Sequence, residues 1–180
     1  MTDIQLADFS NPDHTNAILF LLNEYAKDPM GGDAELSDFA KANLINEMAK
    51  RPTVHAILAF VNGKPAGLAN CIEGFSTFAC KPLLNIHDMV VLSEFRGQGI
   101  SSQLLKKAGA LATSMGCCKL TLEVLEGNKT AQAAYVANGF VGYQLVSEMG
   151  QAMFWQQKLL AIYASMPHSK IIQTRFIFAF

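Results

Sequence analysis

Cysteine is scarce in this chain: Cys71, Cys80, Cys117 and Cys118 are the only four in 180 residues. So few thiols cannot staple a chain of this length, and their spacing contains neither a CxxC pair nor a zinc-ligand pattern. Reduced, buried thiols are therefore the expectation. An excess of charge of one sign is missing as well. Fourteen Lys and Arg stand against fifteen Asp and Glu, a formal net charge of −1, which argues against nucleic acid or anionic lipid as a partner, since both demand a basic face. Long apolar runs are absent: nothing approaches the roughly 18–20 uninterrupted apolar residues of a bilayer span. The opening MTDIQLADFSNPDH shows no basic n-region and no apolar h-region, so a cytoplasmic location is expected. Nor is there an internal repeat, a low-complexity tract or a charge block. What is there is 51% hydrophobic, 16% charged and 9% aromatic. That is the balance of one soluble domain of roughly 100–200 residues that buries its own core.

The hydrophobic period changes along the chain. Residues 4–9 alternate apolar and polar and read as a first strand. Asn11-Pro12 supplies a cap and a proline at the first helical position, and Ala17, Ile18, Leu21, Leu22 and Tyr25 form the apolar stripe of the helix that follows. Pro29-Met-Gly-Gly32 ends it. A second amphipathic helix is expected over 36–50 with Phe39, Ala40, Leu44 and Met48 inward. Residues 54–61 and 66–78 are strands joined at Asn62-Gly63, the strongest short hairpin signal. A fourth strand over 83–92 leads to a glycine loop and a helix over 100–115. A strand over 119–125 and a helix from Asn128 to Asn138, closed by Gly139, precede two last strands over 140–148 and 151–159. The fold class is thus α/β: a mixed, mostly antiparallel sheet flanked by helices, with one central β-α-β crossover. Residues 1–159 make a single domain, and 160–180 a C-terminal extension. That extension is an edge strand, a dimer contact or a poorly ordered tail.

The loop Arg96-Gly97-Gln98-Gly99-Ile100-Ser101-Ser102 joins a strand to a helix start. Glycine lets a ligand approach the backbone, first-turn N–H groups have no intrahelical partner, and the helix dipole favours an anion there. Arg96, Ser101 and Ser102 are further donors. A Walker-type phosphate loop is excluded because no Gly-Lys-Ser/Thr exists. A dinucleotide fold fails on order: its glycine motif opens a run of parallel units, whereas here it follows an antiparallel hairpin.

The loop resembles the Gln/Arg-x-x-Gly-x-Gly/Ala signature of the GCN5-related N-acetyltransferase (GNAT) superfamily. Asn128, Ala131, Tyr135 and Gly139-Phe140 are similar to its second signature, and Asn85-Ile-His-Asp-Met-Val-Val91 resembles the Ile-Glu-Asp-x-x-Val strand of its polyamine-type branch. Two departures stand out. Ser101 occupies the place of Gly or Ala, and His87 that of a Glu.

The resemblance implies an enzyme that moves an acetyl group from acetyl-CoA, without a metal, to a small-molecule primary amine by direct attack in a ternary complex. It implies that acetyl-CoA is held by Met89, Val90 and Val91, by the loop residues Arg96, Gly97, Gln98, Gly99, Ile100, Ser101 and Ser102, and by Asn128, Ala131 and Tyr135. A backbone N–H near Val90 or Val91 would face the thioester oxygen. Tyr135 is the candidate acid for the departing thiolate. His87 and Asp88 are the candidates at the amine end, with Asp88 and Glu73 able to attract a cationic acceptor. Adjacent residues of an unbulged strand face opposite sides, so His87 and Asp88 cannot both serve one pocket without a bulge. A homodimer is the assembly the resemblance suggests. The rival readings are a non-catalytic acyl-CoA-binding sensor and a protein or peptide N-acetyltransferase.

Overall fold

The computed structural model describes residues 1–144 and 146–157. Its elements follow in the order β1 (Thr2–Leu6), α1 (Pro12–Lys27), α2 (Asp38–Ala49), β2 (Val54–Val61), β3 (Lys64–Ser76), β4 (Lys81–Val91), α3 (Ile100–Ser114), β5 (Leu120–Leu122) and α4 (Lys129–Ala137). The expected local signals set several of these. Asn11 caps α1 by accepting from the Asp13 N–H at 2.9 Å, with Pro12 at the first turn. Asn62 and Gly63 adopt φ of 50° and 79°, the pair of left-handed residues that a two-residue hairpin turn needs. Asn128 caps α4 through the Ala131 N–H, and Gly139, at φ 85°, follows the helix end.

The five strands lie in the order β1-β2-β3-β4-β5. The first four pair antiparallel; β4 and β5, joined through α3, pair in parallel. This is the mixed sheet with one crossover that the sequence implies. Its two faces carry separate cores. Ile100, Leu104, Leu105, Ala108 and Ala112 of α3 cover Ile57, Ala59, Ala69, Cys71, Leu84 and Ile86. On the other face, Ile18, Leu21 and Leu22 of α1 and Met48 of α2 cover Leu58, Leu68 and Val90. Each such Leu or Ile, fully buried, contributes about 1.5–3 kcal/mol of transfer free energy.

Three expectations need correction. Phe39 is not inward but 67% exposed; α2 sits over the sheet chiefly through Met48, with Leu44 and Ile45 packed beside it. The thiols are free, but only Cys71 is buried; Cys80, in the β3–β4 turn, and Cys118, just before β5, are exposed. The two last strands do not form among the described residues. Their limbs meet at one antiparallel bridge, Gln144–Gln151, and one further bond from the Ala152 N–H to the Tyr143 carbonyl at 3.0 Å. Among the described residues no third strand supports that pair, and an isolated hairpin is marginal. Val141, Tyr143 and Trp155 stand exposed on it. Leu145 and residues 158–180, with the proposed extension, lie outside the described residues.

Candidate active site

The glycine loop owes its shape to two left-handed residues. Gly97 has φ 76°, and Gly99, which begins α3, has φ 73°. A Cβ at either would meet no atom within 4 Å, so glycine serves the backbone conformation and leaves the loop's outer surface open. The first intrahelical bond runs from the Gln103 N–H to the Gly99 carbonyl at 3.2 Å, and no side chain caps the helix. The N–H groups of Ile100, Ser101 and Ser102 are therefore available at the positive end of the helix dipole. Ile100, buried beneath them, anchors the turn to the sheet. Arg96 is already engaged: its Nε donates to the Val91 carbonyl at 3.0 Å, and its guanidinium meets Asp28 Oδ2 at 3.1 Å. It ties the loop to the end of α1. Ser102 Oγ accepts from Asn138 Nδ2 at 3.0 Å and ties it to the end of α4.

Upstream of the loop, the sheet opens. β5 pairs with β4 only along Leu84–Leu120, Asn85–Thr121 and Ile86–Leu122, whereas β4 continues to Val91. The Leu92 N–H donates to the Ala66 carbonyl on β3 at 2.9 Å. By alternation, Val90 also turns its backbone groups to β3, while Met89 and Val91 turn theirs to the open edge. Of the two amides that the sequence singles out near the thioester, that of Val91 thus faces the gap.

The gap begins at a bulge. Asn70 pairs with Asp88 and Cys71 with Ile86, so His87 is an extra residue without an opposite number on β3. The extra residue reverses the strand's faces. Leu84 and Ile86 belong to the core beneath α3, but Val90 belongs to the core beneath α1, and Asp88 shares the Val90 face. His87 remains exposed. This is the bulge that an approach of both side chains to one region requires.

Asp88 is 7% exposed and Asn70 5%, and they are the only buried polar side chains among the described residues. Asn70 Nδ2 donates to Asp88 Oδ2 at 3.0 Å. Burial drives the Asp88 pKa up; the Asn70 bond and the His87 charge oppose that shift. Tyr25, on the last turn of α1, has its phenol pushed up to about 12, first by burial and then by the charge of Asp88. Burial likewise raises Tyr135, which keeps its phenol protonated through neutral pH. The Tyr135 ring packs at 58° to Phe140, with centroids 5.9 Å apart, and lies near enough to Tyr25 to influence it. Tyr135 thus packs against the α3-side core while Asp88 lies on the α1-side face, and Tyr25, which feels both, links them.

Two candidates sit differently. Asn128 spends its side-chain oxygen on the α4 cap, accepting from the Ala131 N–H at 3.1 Å. Glu73 follows Cys71 by two residues on a regular stretch of β3, hence on the α3 face, where its charge raises the Cys117 pKa after burial does. The structure does not bring Glu73 together with Asp88. Asn70 and Tyr25, which the sequence did not single out, lie against the candidate site through Asp88, and Asp28 meets its loop through Arg96. The signal for Asn70 was a lone amide inside the apolar run Ala66–Cys71. A separate open groove of about 720 Å³, lined by His14, Phe20, Phe60 and Asp3 among others, lies at the β1–α1 side, away from the loop. Among the described residues no three His, Cys, Asp or Glu gather as a metal set, and no helix is long and apolar enough to cross a membrane.

Residues 18–140 match the model of the Acetyltransferase (GNAT) family. Thialysine N-epsilon-acetyltransferase of Bos taurus is 31% identical over 133 residues, spanning 68% of this chain and 75% of its own. Aminoalkylphosphonate N-acetyltransferase of Salmonella typhimurium is 30% identical over 126 residues, spanning 70% and 78%. Among solved structures, an integron cassette protein from the mobile metagenome of V. cholerae superimposes with a TM-score of 0.71 at 22% identity over 89% of this chain and 94% of that one. The aminoglycoside acetyltransferase AAC(6')-Iy, in complex with the bisubstrate analogue CoA-S-monomethyl-acetylneamine, gives 0.69 at 19% identity over 88% and 99%. At such identities these two likenesses speak for the fold.

Proposed function

Since the chain belongs to the GNAT acetyltransferase family and is an acetyl-CoA-dependent N-acetyltransferase, we propose that it acetylates a primary amine of a small molecule by direct attack in a ternary complex. The observation that carries this reading is the open edge of Met89–Val91 running directly into a loop with three unpaired helix N–H groups. The amides of Ile100, Ser101 and Ser102 bind the pyrophosphate. The edge groups of Met89 and Val91 take the amides of the pantetheine arm. The Val91 N–H donates to the thioester oxygen as it gains negative charge. Tyr135 gives its proton to the departing thiolate, and its raised pKa keeps that proton available. Asp88, with exposed His87 beside it, draws the cationic amine and receives its proton directly or through water.

A small amine is favoured over a peptide because the relatives matched over two thirds of this chain carry thialysine and aminoalkylphosphonate in their names. Free thiols at Cys80 and Cys118 suit a reducing cytoplasm. Exposed Val141, Tyr143 and Trp155 suit a second subunit. The test is incubation with acetyl-CoA and a pool of polyamines, amino acids including thialysine, aminoalkylphosphonates, aminoglycosides and short peptides. Release of free CoA thiol is followed, and products are read by mass spectrometry. One acetylated small amine bears the reading out. An acetylated peptide overturns it, and binding of acetyl-CoA without any product favours the sensor.

A further inference from the structure

Asn70 lies on β3, in the middle of the sheet, directly opposite Asp88 on β4. The next pair towards α3's start, Leu68 and Val90, is apolar and buried. An amide in such a place normally satisfies both its ends. This one does not: Oδ1 of Asn70 is buried without a hydrogen-bond partner among the described residues, while Nδ2 donates to Asp88 Oδ2. With Asp88 ionised, the reverse amide orientation would set a carbonyl oxygen against a carboxylate oxygen at 3.0 Å, two acceptors with no proton between them. Contact with Asp88 therefore determines how this side chain sits, at the expense of its own oxygen. Asp88 Oδ1 is also buried and without a partner.

We propose that Asn70 is a positioning residue of the acceptor end: its Nδ2–H holds Asp88 Oδ2, fixes the plane of the carboxylate, and leaves Oδ1 as the atom that takes an N–H of a cationic primary amine. This rests on the reading of Asp88 given above, in which the acceptor arrives as a cation, and it adds the group that orients the carboxylate. An ammonium brings three donors to an oxygen that has none. The bond also favours the ionised carboxylate against the burial that opposes it. The groups able to influence Asp88 are few. Tyr25 reaches it from α1, Cys71 stands beside Asn70 on β3, and His87 precedes it on β4. Tyr135 of α4 acts on Tyr25. The Tyr25 phenol and the Cys71 thiol, both pushed up to about 12, stay neutral where Asp88 titrates. His87 is the one neighbour whose charge acts on the carboxylate.

The experiment follows the Asp88 carboxyl by carbon-13 NMR in aspartate-labelled full-length protein, the resonance being assigned by its loss in Asp88→Asn. In Asn70→Leu, which keeps the volume and removes the donor, the Asp88 midpoint is expected to rise by about one to two pH units, the equivalent of one hydrogen bond to a charged group. Asn70→Ala is the second variant should Leu disturb folding, and it shifts the midpoint in the same direction. His87→Gln repeats the comparison without the neighbouring charge. With the amine identified by the product screen, or with thialysine as the probe, the acidic limb of kcat/KM moves up with the midpoint while KM for acetyl-CoA stays within about twofold. A midpoint that ignores both Asn70 variants overturns the role of Asn70 alone. An acidic limb that survives Asp88→Asn removes Asp88 from the reaction and the proposal with it.

Discussion

At the scale of single residues, the site is organised by what burial does to a few polar groups. Tyr135 keeps its proton because burial disfavours the phenolate. Tyr135→Phe retains the packing against Phe140 and loses only the hydroxyl, so kcat is expected to fall by roughly 10²-fold or more with stability nearly unchanged. Steady-state rates beside a thermal melt check this; a rate within a few-fold of the parent assigns the ring to packing. Asp88 carries the opposite burden. Its folded pKa is raised above the ordinary 3.8, with burial the main cause, so the folded state holds the proton more tightly than the unfolded chain. Its contribution to stability is complete below 3.8 and is lost as pH rises through the elevated folded value. Asp88→Asn removes that loss. It is expected to raise Tm at pH 8, with the gain shrinking as the pH falls towards 4, while turnover drops, the trade of stability for function familiar at active sites. Thermal melts across that pH range decide it.

At the scale of elements, two local irregularities turn an ordinary sheet into a site. One is the bulge at His87, which hands the strand's even-numbered residues from one core to the other. The other is the left-handed start of α3. Gly99→Val places a β-branched side chain at φ 73°, a conformation that costs a non-glycine residue about 1–2 kcal/mol, and sets it on the open surface of the loop. Acetyl-CoA binding, measured calorimetrically, is expected to vanish, while the fold survives with a modestly lower Tm. Retained affinity would sink the loop assignment. The helices and the hairpin turn were legible because caps and turns are short-range chemistry: Asn11-Pro12, Asn62-Gly63 and Asn128 with Gly139 all form as their residue types demand. Phe39 was misread because an apolar residue in the first turn of a helix satisfies a 3.6-residue pattern whether or not the helix axis brings it to the sheet.

At the scale of the molecule, the glycine loop and the Asp88 region of the candidate site sit on different layers, and Arg96 joins the loop to α1. Asp28 ends α1, the helix whose Tyr25 overlooks Asp88, and its carboxylate meets the Arg96 guanidinium at the root of the glycine loop. Arg96 is exposed and Asp28 half-buried at the surface, so the pair's worth in stability is small, about 0–1 kcal/mol. Its position matters more. Asp28→Asn is expected to leave Tm nearly unchanged and, if the proposed function holds, to raise KM for both acetyl-CoA and the amine, because the contact holds the loop against α1. A KM change confined to one substrate would show the layers to be independent.

The sequence by itself determined the family, the order of the elements as far as α4 and the glycine loop, since caps, hairpin turns and hydrophobic period act over a few residues, as do the two motifs around Arg96 and Asn128. It also supplied Tyr135 and Asp88 as candidates. Only the tertiary structure decided which groups meet. The facing of Asp88 depends on the pairing of β3 with β4, which inserts one residue at His87. The partner it finds there, Asn70, lies eighteen positions away. The same pairing put Glu73 on the α3 face beside Cys117. Register between strands is a non-local quantity: shifting it by one residue exchanges the two faces of a strand without altering a single local preference.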